Sequence, residues 1–107
     1  MNAARLPDVS QLADLGRFLV ALGDPTRQRI VLLLSRGRLN VGELAERFQL
    51  SRPAISHHLK VLADAGLLVQ ERQSRERLYR LDARRCQSFV ERLRTLVSSC
   101  CRDSKCC

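Results

Sequence analysis

The sequence has no long apolar run. None exceeds the five residues of Ile30 to Leu34, far short of the roughly 20 residues that span a bilayer. Met1 to Ser10 lacks the charged-then-apolar order of a secretory leader, so a cytoplasmic location and no membrane partner are expected. Lysine is scarce: Lys60 and Lys105 are the only two, and arginine supplies the rest of the 19 basic residues. Histidine is confined to the neighbours His57 and His58. On a helix these lie about 100° apart and do not readily share one ligand site. No Cys-x-x-Cys stands on a strand–helix–strand pattern, which leaves thiol-reductase chemistry without a scaffold and argues against an enzyme. No internal repeat and no linker divides the chain, and nothing calls for an organic cofactor.

What is present is 107 residues, a formal charge of +8 and five cysteines. The length suits one domain. A chain of this size buries roughly two thirds of its unfolded surface, so its core needs neither disulfides nor a structural metal. The positive excess points to an anionic partner. Arginine's planar fork suits phosphates and guanine edges. In a reducing compartment the cysteines read first as metal ligands or redox groups. Cys86 stands alone, whereas Cys100, Cys101, Cys106 and Cys107 crowd the last eight residues.

Periodicity predicts five helices and two strands. Residues 1–9 are polar and expected to be flexible. Ser10 caps a helix to about Leu22, carrying Leu12, Leu15, Phe18, Leu19 and Leu22 at spacings of three and four. Gly23 stops it. Asp24-Pro25 opens a second helix that ends near Gly37. Asn40 caps a short third helix over Val41 to Phe48. Ser51 caps a fourth, with Pro53 in its first turn, a buried stripe of Ile55, Leu59 and Leu62, and Gly66 at its end. Leu67 to Gln73 and Arg77 to Leu81 read as strands around a Ser74-Arg75-Glu76 turn. Asp82 opens a last helix with Cys86, Phe89, Val90, Leu93, Leu96, Val97 and Cys100 on one face. The expected fold is mainly α with a small β-hairpin, a winged helix-turn-helix of order α-α-α-α-β-β-α. Residues 10–99 are expected to form this one folded domain, and residues 100–107 a separate cysteine-rich tail.

The third and fourth helices are joined by only Gln49-Leu50-Ser51, the spacing of a helix-turn-helix. In such a pair the N-terminal residues of the second helix meet base edges in the major groove. Those residues are Ser51, Arg52, Pro53, Ala54, Ser56 and His57, with Lys60 a turn later. Arg52 and Lys60 can neutralise phosphates and release counterions. Arg72, Arg75 and Arg77 sit on the hairpin, where they can lie across a backbone or a minor groove.

The stretches Leu22-Gly-Asp-Pro-Thr-Arg-Gln-Arg-Ile30, Leu44-Ala-Glu, Leu50-Ser-Arg-Pro-Ala-Ile-Ser-His-His-Leu-Lys60, Leu62-Ala-Asp-Ala-Gly-Leu67 and Tyr79-Arg-Leu81 together resemble the ArsR/SmtB family of metal-sensing repressors. The resemblance spans roughly Leu12 to Val97. It implies a homodimer that binds double-stranded operator DNA and leaves it when a metal or metalloid arrives. The subunit interface is expected through Leu15, Phe18, Leu19 and Leu22 with Phe89, Leu93 and Leu96.

Two of the family's sensor sites are missing. The third helix reads Glu43-Leu-Ala-Glu-Arg47 where some members carry Cys-x-Cys. The last helix keeps Asp82 but has Arg84 and no histidine where others bind zinc. What remains is the tail, which resembles arsenic-responsive members with a Cys-Cys pair and a further cysteine after the last helix. Trivalent arsenic (arsenite) or antimony takes three thiolates in a trigonal pyramid, and softness selects sulfur over imidazole or carboxylate. Cys100, Cys101, Cys106 and Cys107 are the candidate ligands, one more than such a centre needs. Adjacent cysteines do not share one helix face, so the helix is expected to end between Ser98 and Cys101. Four thiolates could also close around Zn, Cd or Cu(I), oxidise as a redox switch, or form a metal-buffering tail on a winged helix used for protein contact. Cys86 reads as a small core residue.

Overall fold

A computed structural model describes residues 9–101. Of the stretch 1–9 expected to be flexible, residues 1–8 lie outside them, as do Cys106 and Cys107; the first helix already begins at Val9, so Ser10 lies within its first turn and not ahead of it. The elements are α1 (Val9–Leu22), α2 (Pro25–Leu34), β1 (Leu39–Asn40), α3 (Val41–Phe48), α4 (Arg52–Asp64), β2 (Leu68–Gln73), β3 (Glu76–Leu81) and α5 (Ala83–Cys101).

Side chains that cap helix ends set the boundaries. Asp24 accepts from the Arg27 amide at 3.0 Å, and Pro25 occupies the first turn of α2, where no N–H is needed. Asn40 and Glu43 form a reciprocal capping box at α3, 2.7 and 3.0 Å. Ser51 caps α4 by accepting from the Ala54 amide at 3.2 Å. Gln49 ends α3 in the left-handed conformation at φ 53°, and the Leu50 amide reaches back to the Ala45 carbonyl at 3.1 Å. That tight reversal sets the angle between α3 and α4.

The core is built from one stripe of each helix. Ile30, Leu44, Ile55, Leu59, Leu62 and Leu67 are fully buried. The Ile55, Leu59, Leu62 stripe of α4 is the one its spacing predicts. Phe18 of α1 stacks on Phe89 of α5 with centroids 4.6 Å apart, which joins the two long helices.

The winged helix is present with one strand more than expected. β1 pairs antiparallel with β3, giving a three-stranded sheet of order β1-β3-β2. Two residues carry no period, so sequence pattern could not show β1. It forms because the chain entering α3 passes the free edge of β3. Other boundaries shift slightly. α2 stops at Leu34 rather than near Gly37, and the hairpin turn shortens to Ser74-Arg75, with Ser74 at φ 58°.

The residues expected at the subunit interface divide. Leu15, Phe18 and Phe89 are buried within the single chain, and Leu22 and Leu93 are half-buried against the same core. Leu19 and Leu96 stay exposed. With Leu12 and Val20 on α1 and Val90 and Val97 on α5 they form the apolar surface these helices leave uncovered. The chain's own core takes the central stripe of each helix, so only the flanks remain for a partner.

Candidate nucleic-acid interface

The reading end of α4 presents its polar stripe outward. Ser51, Arg52, Pro53, Ser56, His57 and Lys60 are exposed, Ala54 is half-buried, and Ile55 and Leu59 between them face the core. Burial of those two fixes the helix in rotation and so fixes what it shows to solvent. The Arg52 guanidinium lies over α3 at Gly42, where a Cβ would come within 3.0 Å of Nη2. Lys60 pairs with Asp64 at 3.2 Å. Both are exposed, so the pair is worth only about 0.3–0.5 kcal/mol and yields readily to a phosphate.

On the wing, Arg72, Arg75 and Arg77 are all exposed. Arg72 and Arg77 stand directly opposite each other in the β2–β3 register. Like charges in that position destabilise a sheet by a few tenths of a kcal/mol. None of the three has a carboxylate partner among the described residues. The base of the wing is the reverse. Glu71 takes an ion pair from Arg38 at 3.1 Å and a hydrogen-bonded pair from Arg80. The Arg80 hydrogen bond holds the Glu71 carboxyl below its ordinary value, against a smaller opposing effect of desolvation. The wing is tied down at its root and left with uncompensated cations at its tip.

Sequence reasoning passed over the residue that ties these parts together. Arg27 in the first turn of α2 donates through Nε to the Ala21 carbonyl at 2.7 Å and through Nη1 to His58 Nδ1 at 3.2 Å. Gln28 donates to the Leu22 carbonyl at 2.7 Å. Both side chains satisfy carbonyls at the end of α1. His58 is therefore an internal hydrogen-bond acceptor while His57, its ring 5.9 Å away, is exposed. The signal was in the Asp24-Pro-Thr-Arg27 run, legible as a helix start but not as a brace to α4.

Cys86 is half-buried and its thiol donates to the Leu67 carbonyl at 3.7 Å. Burial pushes that thiol above its ordinary range, with the Asp82 charge adding to the effect. α5 stays helical through Cys100 and Cys101, which places the two positions about 100° apart on the helix. Among the described residues, no group of three or more His, Cys, Asp or Glu side chains is placed to hold a metal ion. No helix among them is long and apolar enough to cross a membrane.

A helix-turn-helix with an outward cationic turn, followed by a cationic antiparallel wing, defines a winged-helix DNA-binding protein. The profile described as "Bacterial regulatory protein, arsR family" matches residues 24–69. The HTH-type transcriptional regulator Rv2034 of Mycobacterium tuberculosis is 50% identical over 77% of this chain and 69% of its own length. An arsenical resistance operon repressor of Staphylococcus aureus is 33% identical over 80% of this chain and 83% of its own. A "Probable mercury resistance operon repressor" of Streptomyces lividans is 31% identical over 85% and 73%. The solved structure of an ArsR-like transcriptional regulator from Rhodococcus sp. RHA1 superposes with a TM-score of 0.77 at 31% identity, covering 84% of this chain and 85% of that one. The chain belongs to the ArsR family: it is a DNA-binding transcriptional regulator and not an enzyme.

Proposed function

We propose that this regulator is a homodimeric repressor that leaves its operator when trivalent arsenic or antimony binds thiolates of Cys100, Cys101, Cys106 and Cys107. The observation that carries the reading is α5. It runs as one 19-residue helix from the root of the wing to the Cys100-Cys101 pair, about 28 Å at 1.5 Å per residue. Through the Phe18–Phe89 stack the same helix is packed on α1. A ligand gathered at its end therefore acts on a rod attached to the DNA-reading body. The named role of the Staphylococcus aureus relative in arsenical resistance supports this choice of ligand.

In this reading Ser51, Arg52, Pro53, Ala54, Ser56, His57 and Lys60 enter the major groove, and Arg72, Arg75 and Arg77 lie on the backbone beside it. The dimer buries the exposed flanks of α1 and α5, with Leu19 and Leu96 in contact and Leu15, Phe18, Leu22, Phe89 and Leu93 supporting them from below. Two half-sites then lie about one helical turn, or a multiple of it, apart. A coupling of about 1–3 kcal/mol weakens operator binding about 5- to 150-fold. Arg102 and Lys105 favour the thiolate form of the neighbouring cysteines.

The test is an operator mobility shift in reductant with arsenite, antimonite, cadmium, zinc, copper(I) and mercury(II). Arsenite and antimonite release the DNA, and Cys100→Ser and Cys101→Ser each abolish release. Release that survives both substitutions removes the tail from the mechanism. A second reading keeps the tail and changes the ion, and the relative named for mercury resistance favours it. It is distinguished by release with mercury(II) and none with arsenite.

A further inference from the structure

A cavity of about 330 Å³ lies between α1, the C-terminal end of α4 and α5. It takes no part in the DNA surface. The reading end of α4 is at the opposite terminus of a 13-residue helix, about 20 Å away. Its floor is apolar: Ala65, Gly66 and Phe89 are buried there. Gly66 lets the Arg85 side chain and the Phe89 ring pack down against the backbone there. At φ +92° it is held in a conformation that favours glycine, and a Cβ on it would come within 3.2 Å of Arg85 and 3.3 Å of Phe89.

The walls are charged, and their charges do not cancel. Arg17 is paired with Asp14 at 2.5 Å, and Asp64 with Lys60 at 3.2 Å. Arg85 and Arg92 line the same cavity, and neither guanidinium has a carboxylate or hydrogen-bond partner among the described residues. Arg92 instead lies over the Phe89 ring, 5.5 Å from its centroid. Ser88 offers a hydroxyl between them. Spacings of three and four put Arg85, Ser88 and Arg92 on one stripe of α5.

Val90 and Val97 lie about 150° round the α5 axis from Arg85, Ser88 and Arg92, and Leu12 and Leu19 about 180° round α1 from Asp14 and Arg17. Leu96 continues the cavity stripe one turn beyond Arg92, so a second copy seated on Leu96 adjoins the cavity at its Arg92 end.

We propose that this cavity binds a small organic anion, whose carboxylate or phosphate group is held by Arg85, Ser88 and Arg92. The volume is at the small end for ligand pockets, the size of a compact organic acid. The occupant touches both the recognition helix and the two long helices that pack on it. The site uses no cysteine and is independent of the tail.

The experiment is an amide-resolved NMR titration of the full, reduced protein without DNA at constant ionic strength, using benzoate, inorganic phosphate and neutral benzyl alcohol. Benzoate gives saturable shifts at Gly66, Arg85, Ser88 and Phe89, and R85Q/R92Q weakens its binding by about tenfold or more. Phosphate binding at the same amides assigns the anion subsite alone. R84Q, on the same helix but outside the cavity, leaves benzoate binding unchanged. The proposal fails if benzoate and phosphate give only linear, unsaturable shifts, if benzyl alcohol binds as well as benzoate, or if R84Q weakens binding as much as R85Q/R92Q. Urea unfolding of each variant checks the fold, and C100S/C101S, which removes the tail site, retains benzoate binding.

Discussion

Arg27 donates to His58 across 3.2 Å, joining the first turn of α2 to the middle of the recognition helix. The same guanidinium closes the end of α1 through the Ala21 carbonyl. Three helices thus meet on one half-buried side chain. Arg27→Ala should lower stability by about 1–3 kcal/mol, the range for charge-assisted hydrogen bonds whose partners stay unsatisfied. A urea midpoint unchanged from the parent would show that the brace carries no load.

Ser51 has two roles that substitution can separate. Its hydroxyl caps α4, so Ser51→Ala should cost about 1 kcal/mol in urea unfolding. Ser51→Asp keeps a capping oxygen and adds a negative charge where a phosphate is expected. It should retain most of the stability and lose duplex affinity in a mobility shift. Equal affinity for the Asp variant and the parent would take Ser51 away from the DNA.

The facing pair Arg72 and Arg77 predicts opposite effects on folding and binding. Arg77→Ala relieves a like-charge contact and should leave stability level or a few tenths of a kcal/mol higher. Duplex affinity should fall, and the slope of log affinity against log salt should shrink by about one unit for one lost phosphate contact. A salt slope unchanged by the substitution places the wing off the backbone.

Acid should unfold the protein in a defined window. The Asp24 carboxyl is held below its ordinary value of 3.8, chiefly by the hydrogen bond from the Arg27 amide, and Glu71 below 4.5, chiefly by Arg80. A depressed carboxyl contributes stability that is fully present above its unfolded value and is lost as pH falls through the folded one. Stability should therefore hold level down to about pH 5 and decline below it. Asp24→Asn and Glu71→Gln should each make the decline shallower in urea titrations from pH 6 to 3; a decline of unchanged steepness would clear both groups.

Cys86 should behave unlike the other cysteines. Burial and the nearby Asp82 keep its thiol protonated and slow to react. Timed alkylation of the reduced protein, followed by peptide mass mapping, should modify Cys100, Cys101, Cys106 and Cys107 before Cys86. Cys86→Ser should leave release by arsenite intact.

Much of the fold was legible in the sequence because it rests on local rules. Asn40, Ser51 and Asp24-Pro25 declare helix starts by satisfying amides within three residues, and the Ile55, Leu59, Leu62 stripe declares which side of α4 is inside. The outward-facing residues of α4 follow by subtraction. Position along the chain also separated the tail cysteines from Cys86. Other features depend on contacts between residues far apart. β1 exists only because β3 has an edge to offer. The brace from Arg27 to His58 spans 31 positions, and neither residue signals the other locally.

Local pattern was enough for the winged-helix class and the polar face of α4, since periodicity and capping act over three or four residues. Which apolar residues of α1 and α5 the chain keeps for itself depends on how the helices pack. Leu15, Phe18 and Phe89 are as apolar as Leu19 and Leu96, and pattern alone cannot rank them. Packing ranks them: the stripe facing the neighbouring helices is buried first, and the flanks left exposed are what remains for a second copy.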